Sequence, residues 1–311
     1  MRLFLFFLMM GIPLSSFGEV LPLNDALRAT YTACVGIDDE LSDLKTMAGI
    51  NTAITSVGTV AGAGATATGF IKANTDKQLQ EIIERIRKKE KDLLASTQDG
   101  KIYSKQEDWN KFIKRLGDLT PNDKKELEEW KADQNTLKDK SKKLGNWRTG
   151  LLATGAATNI AGAVIAGTNK VDADLKTQIS DCVKSVSSLR DSVVQARING
   201  EDVSEAETII SACGEYEYVD VSKINKRAKG AMISSSIGAA TGVTGTAVSA
   251  VANTDKNAEN AAKEKKLNTA ANVMSVGSTA TSAVATIMNA TQIAAIKKVA
   301  NVSEKCTGVL K

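Results

Sequence analysis

Residues 47–71 read MAGINTAITSVGTVAGAGATATGFI, a run without one charged side chain. Gly58 and Gly62 stand four apart in it, the spacing that lets two helix backbones approach closely. A second run of the same character, Ala231–Ala252, carries Gly238 and Gly242 at that spacing. Two more open after Lys142-Lys143-Leu144 and Lys265-Lys266-Leu267. In these, Ala153, Ala157 and Ala161, and then Gly277, Thr281 and Ala285, repeat at four. Such runs are far too long for strands and predict four closely packed helices. Each glycine costs about 0.5–1 kcal/mol of helix propensity, so close packing has to offset it.

The four runs belong to two copies of one pattern. Ala73–Lys77 and Ala252–Lys256 both read Ala-Asn-Thr-Asp-Lys, and Cys34 and Cys213 precede them by 39 residues each. On the return, Leu144 and Leu267 precede Cys182 and Cys306 by 38 and 39 residues. The unit is cysteine, small-residue helix, polar connector, small-residue helix, cysteine, at 34–182 and again at 213–306. Folded as an antiparallel hairpin, each copy brings its cysteines level at the open end. This predicts the disulfides Cys34–Cys182 and Cys213–Cys306. Pairings between the hairpins stay open if all four cysteines gather at one end of a bundle.

The first copy carries a long charged insertion. Leu79, Ile82, Ile86 and Leu93 fall on one helix face, and Leu127, Trp130, Gln134, Leu137 and Leu144 alternate at three and four. Flanked by Lys and Glu, this is the seam of a two-stranded coiled-coil arm. Thr120 or Asn122 can cap the returning helix, with Pro121 in its first turn. At the tip, Trp109, Phe112, Ile113 and Leu116 make an apolar face, with Lys111, Lys114 and Arg115 on the other. This tip suits contact with a protein or a membrane surface. Ser204, with Glu207 three residues on, reads as a capping box before Cys213, and Asn24 or Asp25 plays that part before Cys34.

The chain opens MRLFLFFLMMGIPLSSFG, a basic residue, an apolar run and small residues, as in a secretory signal peptide. The expected division is 1–18 signal peptide, 19–182 first hairpin with its arm (78–141) and tip (97–121), 183–212 connector, and 213–311 second hairpin. The expected fold is all-α: duplicated long antiparallel helical hairpins forming a four-helix bundle, with the coiled-coil arm extending from the first.

Composition narrows function by exclusion. With 40 basic and 36 acidic residues the net charge is +4, so no nucleic-acid footprint is expected. There is no histidine, which removes the commonest general base and zinc ligand. The cysteines lack metal-ligand spacing, and the glycines form no phosphate-binding pattern. The Glu/Lys-rich stretch at 81–91 reads as a solvated helix face, and Asp38-Asp39-Glu40 as an acidic helix start. No enzyme, metal or small-molecule cofactor is expected.

Two readings of the small-residue helices follow. In the leading one they are the core of an exported, non-enzymatic helical-bundle protein with a structural or interaction role, periplasmic or extracellular. The alternative is a membrane-inserting or pore-forming protein, since each run meets the length of a bilayer span. Asn51, Asn159, Asn272 and Asn289 would be costly against lipid, and aromatics are too scarce for a flanking belt. The plan of long helices with Gly/Ala-rich apolar hairpins resembles, in architecture, α-helical pore-forming toxins, with four such segments in place of one hairpin. That resemblance implies membrane insertion from a soluble state. Homo-oligomerisation through the small-residue helices is compatible with either reading.

Overall fold

Alanine-rich, nearly proline-free sequence favours helix, and helix is what forms. The computed structural model describes residues 20–95, 120–254 and 261–310. The signal segment and the tip residues 109–116 lie outside the described residues. Among those described, the elements are α1 (Leu23–Cys34), α2 (Ile37–Ala95), α3 (Pro121–Thr168), α4 (Ala173–Ile198), α5 (Ser204–Cys213), a 3-10 turn (Gly214–Tyr218), α6 (Ser222–Ala252) and α7 (Ala261–Leu310). At 59 residues, α2 is about 90 Å long at 1.5 Å per residue.

The helices start and stop where local chemistry dictates. Gly36, at φ 93°, makes the left-handed turn between α1 and α2. Gly200, at φ 77°, ends α4, and the Glu201 amide donates back to the Ala196 carbonyl at 3.0 Å. Thr120 caps α3, its hydroxyl accepting from the Asp123 amide at 3.3 Å and donating to the Asp123 carboxylate at 2.6 Å. Ser204 is not a cap. It is the first helical residue of α5, and the Asp202 carboxylate accepts its amide at 3.0 Å. Neither Asn24 nor Asp25 caps α1, which begins after Pro22. Between the small-residue run and Cys182 the helix breaks, α3 ending at Thr168. Asp172 caps a new helix by accepting from the Leu175 amide at 2.8 Å. Asn225 covers the broken backbone, taking the Val171 amide at 2.8 Å and donating to its carbonyl at 2.9 Å.

The chain divides into two compact units, each drawn from separated stretches of the chain. The cystine unit holds residues up to Gly49, Thr168–Lys229 and Asn289–Lys311. Its core is conventional: Ile37, Leu41, Leu175, Leu189, Tyr216, Ile224 and Ile296 are fully buried. Burial pushes the Tyr216 hydroxyl up to about 12. Cys34–Cys182 and Cys213–Cys306 are at disulfide distance, closing separations of 148 and 93 residues. The sulfurs of Cys34, Cys213 and Cys306 lie within 4.8 Å of one another, so both disulfides share one buried pocket. Their bonding leaves no thiolate to hold a metal.

The bundle unit holds Ile50–Gly167 and Gly230–Met288. Its helices pack antiparallel around a ring. Gly58 sits against Thr158 and Gly64 against Leu151 (α2 on α3), and Gly242 against Ala156 (α6 on α3). Gly245 sits against Met274 (α6 on α7) and Gly62 against Thr279 (α2 on α7). A Cβ added at Gly242 would stand 3.0–3.3 Å from the Cβ, Cα and N atoms of Ala156, so a larger residue there would push the two helices apart. Farther along α2 and α3, Ile86 and Leu127 are buried, and Lys89 pairs with Asp123 at 2.7 Å and Glu126 at 3.0 Å. Trp130, Gln134, Leu137 and Leu144 are half-buried there.

Candidate functional site

Within the bundle unit the ordinary relation between burial and polarity is reversed. Along α2 from 50 to 71, the exposed positions are Ile50, Ala53, Val57, Val60, Ala63, Ala67, Phe70 and Ile71. Every one is apolar. The buried positions are Asn51, Thr55, Gly58, Ala61, Gly62, Ala65 and Gly69. The other three helices repeat the arrangement. Ile160 and Val164 on α3, Ile233, Ile237 and Val243 on α6, and Val273, Val276, Val284 and Ile287 on α7 point outward. Asn159, Ser235, Ser249, Ser275, Ser278 and Ser282 are buried. Soluble chains scatter exposed apolar residues singly, whereas a contiguous apolar surface marks an interaction face.

A few hydroxyls interrupt that surface, and each is satisfied by its own helix. Thr154 donates to the Gly150 carbonyl at 3.1 Å, Ser236 to Met232 at 2.9 Å, Thr244 to Ala240 at 2.9 Å and Thr269 to Lys265 at 2.9 Å. In the helix interior Ser and Thr tolerate such back-bonding, and here it leaves these hydroxyls no need of water. Two helical stretches, Leu23–Asp92 and Pro121–Thr168, are long and apolar enough by length and composition to cross a membrane, and only 33% of each apolar window is buried.

The interior is stitched by polar side chains. Asn159 Nδ2 donates to Ser282 Oγ at 2.8 Å, and that hydroxyl donates to the Ser278 carbonyl at 2.7 Å. Thr66 and Ser275 hydroxyls meet at 2.8 Å, and Ser278 donates to the Gly238 carbonyl at 3.1 Å. Asn51, Asn159 and Asn289 are fully buried, and the half-buried Asn272 accepts from Arg148 at 2.9 Å, so the asparagines that counted against a membrane are turned to the interior or paired there.

At the end of the uncharged band the polar core becomes ionic. Arg148 is fully buried. Its Nε donates to Ser249 Oγ at 3.0 Å, Nη1 to Asn272 Oδ1 at 2.9 Å and Nη2 to Asn268 Oδ1 at 2.8 Å. Asn268 passes a hydrogen bond to Asp76 at 3.2 Å. Lys72, 1% exposed, pairs with Asp76 at 2.8 Å and Glu264 at 2.9 Å, and Ser141 also donates to Asp76. Two cations and two carboxylates thus form one neutral cluster drawn from α2, α3 and α7, with α6 supplying Ser249. Removing one member of such a cluster strands the others. At this level two aromatics face outward, Phe70 on α2 and Trp147 on α3, the latter 70% exposed. They are few, but they stand at the band's edge.

The residues expected to pack closely divide. Gly58, Gly62, Gly238, Gly242 and Ala285 are buried, and Gly277 and Thr281 are half-buried. Ala153 and Ala157 instead face outward and Ala161 is half-buried; α3 turns Gly155, Ala156, Asn159 and Gly162 inward. Spacing of four by itself does not say which face of the helix a series occupies: the alanine series lies on the outward face of α3, whereas Gly277, Thr281 and Ala285 at the same spacing lie toward the interior of α7. Sequence reasoning singles out Asn159 as costly against lipid but misses Arg148 and Lys72. The clue was a lone Arg ending an uncharged run, with Asn and Ser recurring on one helix face.

Comparison with protein-family models, with curated proteins and with solved structures returns no match.

Proposed function

We propose that the chain is a non-enzymatic, membrane-spanning protein whose bundle unit crosses a bilayer as a closed four-helix bundle. The observation that carries this is the reversal of polarity: a Val/Ile/Ala surface around an Asn/Ser/Gly core. The band runs over 50–71, 149–167, 230–252 and 267–288, free of charge in all four helices. At 1.5 Å per residue these segments are about 28–35 Å long, matching a hydrocarbon core of about 30 Å. Lipid cannot satisfy polar groups, so they turn inward and pair, and small residues permit the close packing that holds membrane helices together.

Chain connectivity sets the topology of this reading. Residues 49, 168, 229 and 289 lead from the four segments into the cystine unit along the chain, and residues 72, 148, 253 and 266 into the arm and the 253–266 connector. Disulfides form in oxidising compartments, so the cystine unit belongs on the exported side, to which the signal-like N-terminus would deliver it. Counting Lys and Arg near the band's ends gives 13 in 72–87, 133–148 and 253–266, against 9 in 34–49, 168–183, 214–229 and 289–304. By the positive-inside rule the arm is cytoplasmic. The finer plan belongs to the same proposal: two duplicated hairpins form the bundle, the stretch 78–141 is a coiled-coil arm, and its tip, with Trp109 and Phe112, is the partner-binding end. The function is anchorage and display, with interaction at the arm.

The test is alkaline extraction of membranes from cells expressing the full chain, followed by detergent titration. The protein stays in the extracted membrane and becomes monodisperse only with detergent. A protein released by carbonate and monodisperse without detergent refutes the proposal.

A further inference from the structure

The cystine unit sets its two disulfides side by side. The sulfurs of Cys34, Cys213 and Cys306 lie within 4.8 Å of one another, one from the first bridge and both from the second. Cys182 stands outside that trio. Two bridges placed only to tie the chain have no need to meet. Placed together, each puts a disulfide within reach of a thiolate released at its neighbour, and attack of a thiolate on a disulfide sulfur is how such bonds exchange.

All four cysteines are fully buried, so exchange needs an entry, and one exists at Cys213. A cleft of about 90 Å³ is lined by Cys213 itself, with Val183, Val186, Ser187, Arg190 and Glu217. Arg190 lies over the following residue, since a Cβ added at Gly214 would stand 2.8 Å from its Nη2. Its guanidinium, shared with Glu217 at 3.1 Å, places a cation beside the entry, and a nearby cation favours the thiolate over the thiol. A cleft of this size suits a small thiol rather than a protein chain. All of these residues belong to the cystine unit.

We propose that the paired disulfides form a thiol–disulfide exchange site, entered by a small thiol at Cys213. The entering thiolate bonds to Cys213 and breaks the Cys213–Cys306 bond, which releases the Cys306 thiolate. That thiolate bonds to Cys34 and breaks the Cys34–Cys182 bond. The Cys182 sulfur then takes up the proton that the entering thiol gave up. Two disulfides stand before and after, the new ones being a mixed disulfide on Cys213 and a Cys34–Cys306 bond, so no electrons are gained or lost. The tie that ran from α1 to α4 now runs from α1 to α7. Nothing in this chemistry depends on the bundle unit spanning a bilayer.

The test uses the oxidised full chain in detergent, with β-mercaptoethanol as the thiol. Samples are quenched in acid, alkylated and mapped as peptides without reduction. Before thiol is added, mapping recovers Cys34 with Cys182 and Cys213 with Cys306. With about 0.1 mM thiol, a neighbouring sulfur at an effective concentration of millimolar or more is a roughly tenfold better target than a second thiol molecule. The expected products are therefore the Cys213 adduct, the Cys34–Cys306 peptide and alkylated Cys182. Alkylation of Cys306 with Cys34–Cys182 intact overturns the proposal, as does a chain that adds no thiol until denaturant is present. Two variants test proximity alone, without added thiol. Cys182→Ser leaves Cys34 free inside the trio, whereas Cys34→Ser leaves Cys182 free outside it. Peptides joining the freed cysteine to Cys213 or Cys306 should be about tenfold or more abundant in Cys182→Ser. Equal scrambling in both variants, or none in Cys182→Ser, overturns the site. Should either variant fail to fold, the wild-type products decide alone.

Discussion

Lysine at the middle of the band separates the two environments that its surface could face. Val60 is 73% exposed and falls at the midpoint of 50–71, about 16 Å from either end at 1.5 Å per residue. Ile71 is 52% exposed on the same helix, at the band's edge. In water, Val60→Lys and Ile71→Lys both replace an exposed apolar side chain and should each change stability by less than about 0.5 kcal/mol. In a bilayer the two diverge. A lysine at the centre of a spanning helix costs about 2.5–3.5 kcal/mol on insertion scales, whereas at the edge it snorkels into the headgroup layer for a small part of that. The predicted difference is therefore about 2–3 kcal/mol, roughly 30- to 150-fold in an equilibrium constant. The assay is denaturant unfolding of both variants in bicelles, followed by helical circular dichroism, with the midpoints compared at constant slope. Equal, small shifts at both depths would refute the lipid-facing assignment of α2. A large shift at Val60 alone, matched by Val276→Lys on α7, would extend it to the second hairpin.

Glycine placement gives an independent check on the interior. Gly242→Ala puts a methyl against the Ala156 backbone and should cost about 1–3 kcal/mol by overpacking; Gly150→Ala meets nothing within 4 Å and should stabilise by about 0.5–1 kcal/mol, both read by thermal melts in the same detergent. Removing Cys34–Cys182 by paired Ser substitution frees a 148-residue separation and should cost about 4–5 kcal/mol in the chain-entropy model; non-reducing peptide mapping must first recover Cys34 with Cys182, and a Cys34–Cys213 peptide would contradict the pairing. Glu90 is buried beside the half-buried Lys131, and burial raises its carboxyl above the ordinary value, with Lys131 and Arg87 opposing the rise. Because the folded state binds this proton more tightly than the unfolded state, the group's contribution favours folding at low pH and is lost as pH rises through the raised value. Glu90→Gln should therefore stabilise this part of α2 at neutral pH and flatten that acidic-range dependence, seen by hydrogen exchange of residues 80–92.

Much of this architecture is written in plain sequence features. Equal distances from cysteine to Ala-Asn-Thr-Asp-Lys place the cysteines level, and the structure joins the pairs that those distances select. Long uncharged runs without proline could only be helix. What could not be read was which way each run faces. On α2 the stripe Asn51, Thr55, Gly58, Gly62, Ala65, Gly69 and the stripe Ala53, Val57, Val60, Ala63, Ala67, Phe70 have the same helical period, and period alone does not say which is inside. The usual prior buries valine, and that prior favoured a soluble core. The break at 169–172 was hidden for a different reason. Nothing before Asp172 stops a helix locally; tertiary hydrogen bonds from Asn225 to Val171 and from Gln292 to the Asn169 carbonyl, the latter at 2.9 Å, make the break tolerable.

The sharpest argument for two environments is that a single helix obeys both burial rules. In the N-terminal turns of α2, Ile37 and Leu41 are fully buried while Asp38, Asp39 and Lys45 are not, as for any helix on a soluble core. From residue 50 onward the same helix buries Asn51 and Thr55 and exposes Val57 and Val60. Past residue 71 it reverts: Ile86 is buried while Arg85, Arg87 and Lys88 are exposed. The first reversal coincides with the boundary between the two units at Gly49, whereas the second falls inside the bundle unit and inside one unbroken helix. On the membrane-spanning proposal a change of solvent accounts for both, because the free energy of exposing valine changes sign between water and hydrocarbon while that of exposing an unpaired amide rises. The reversals fall where charge stops and starts, between Lys45 and Lys72. Arg148 marks the same boundary on α3, and its neutralised cluster with Lys72, Asp76 and Glu264 provides the polar end that a band of hydrocarbon thickness requires.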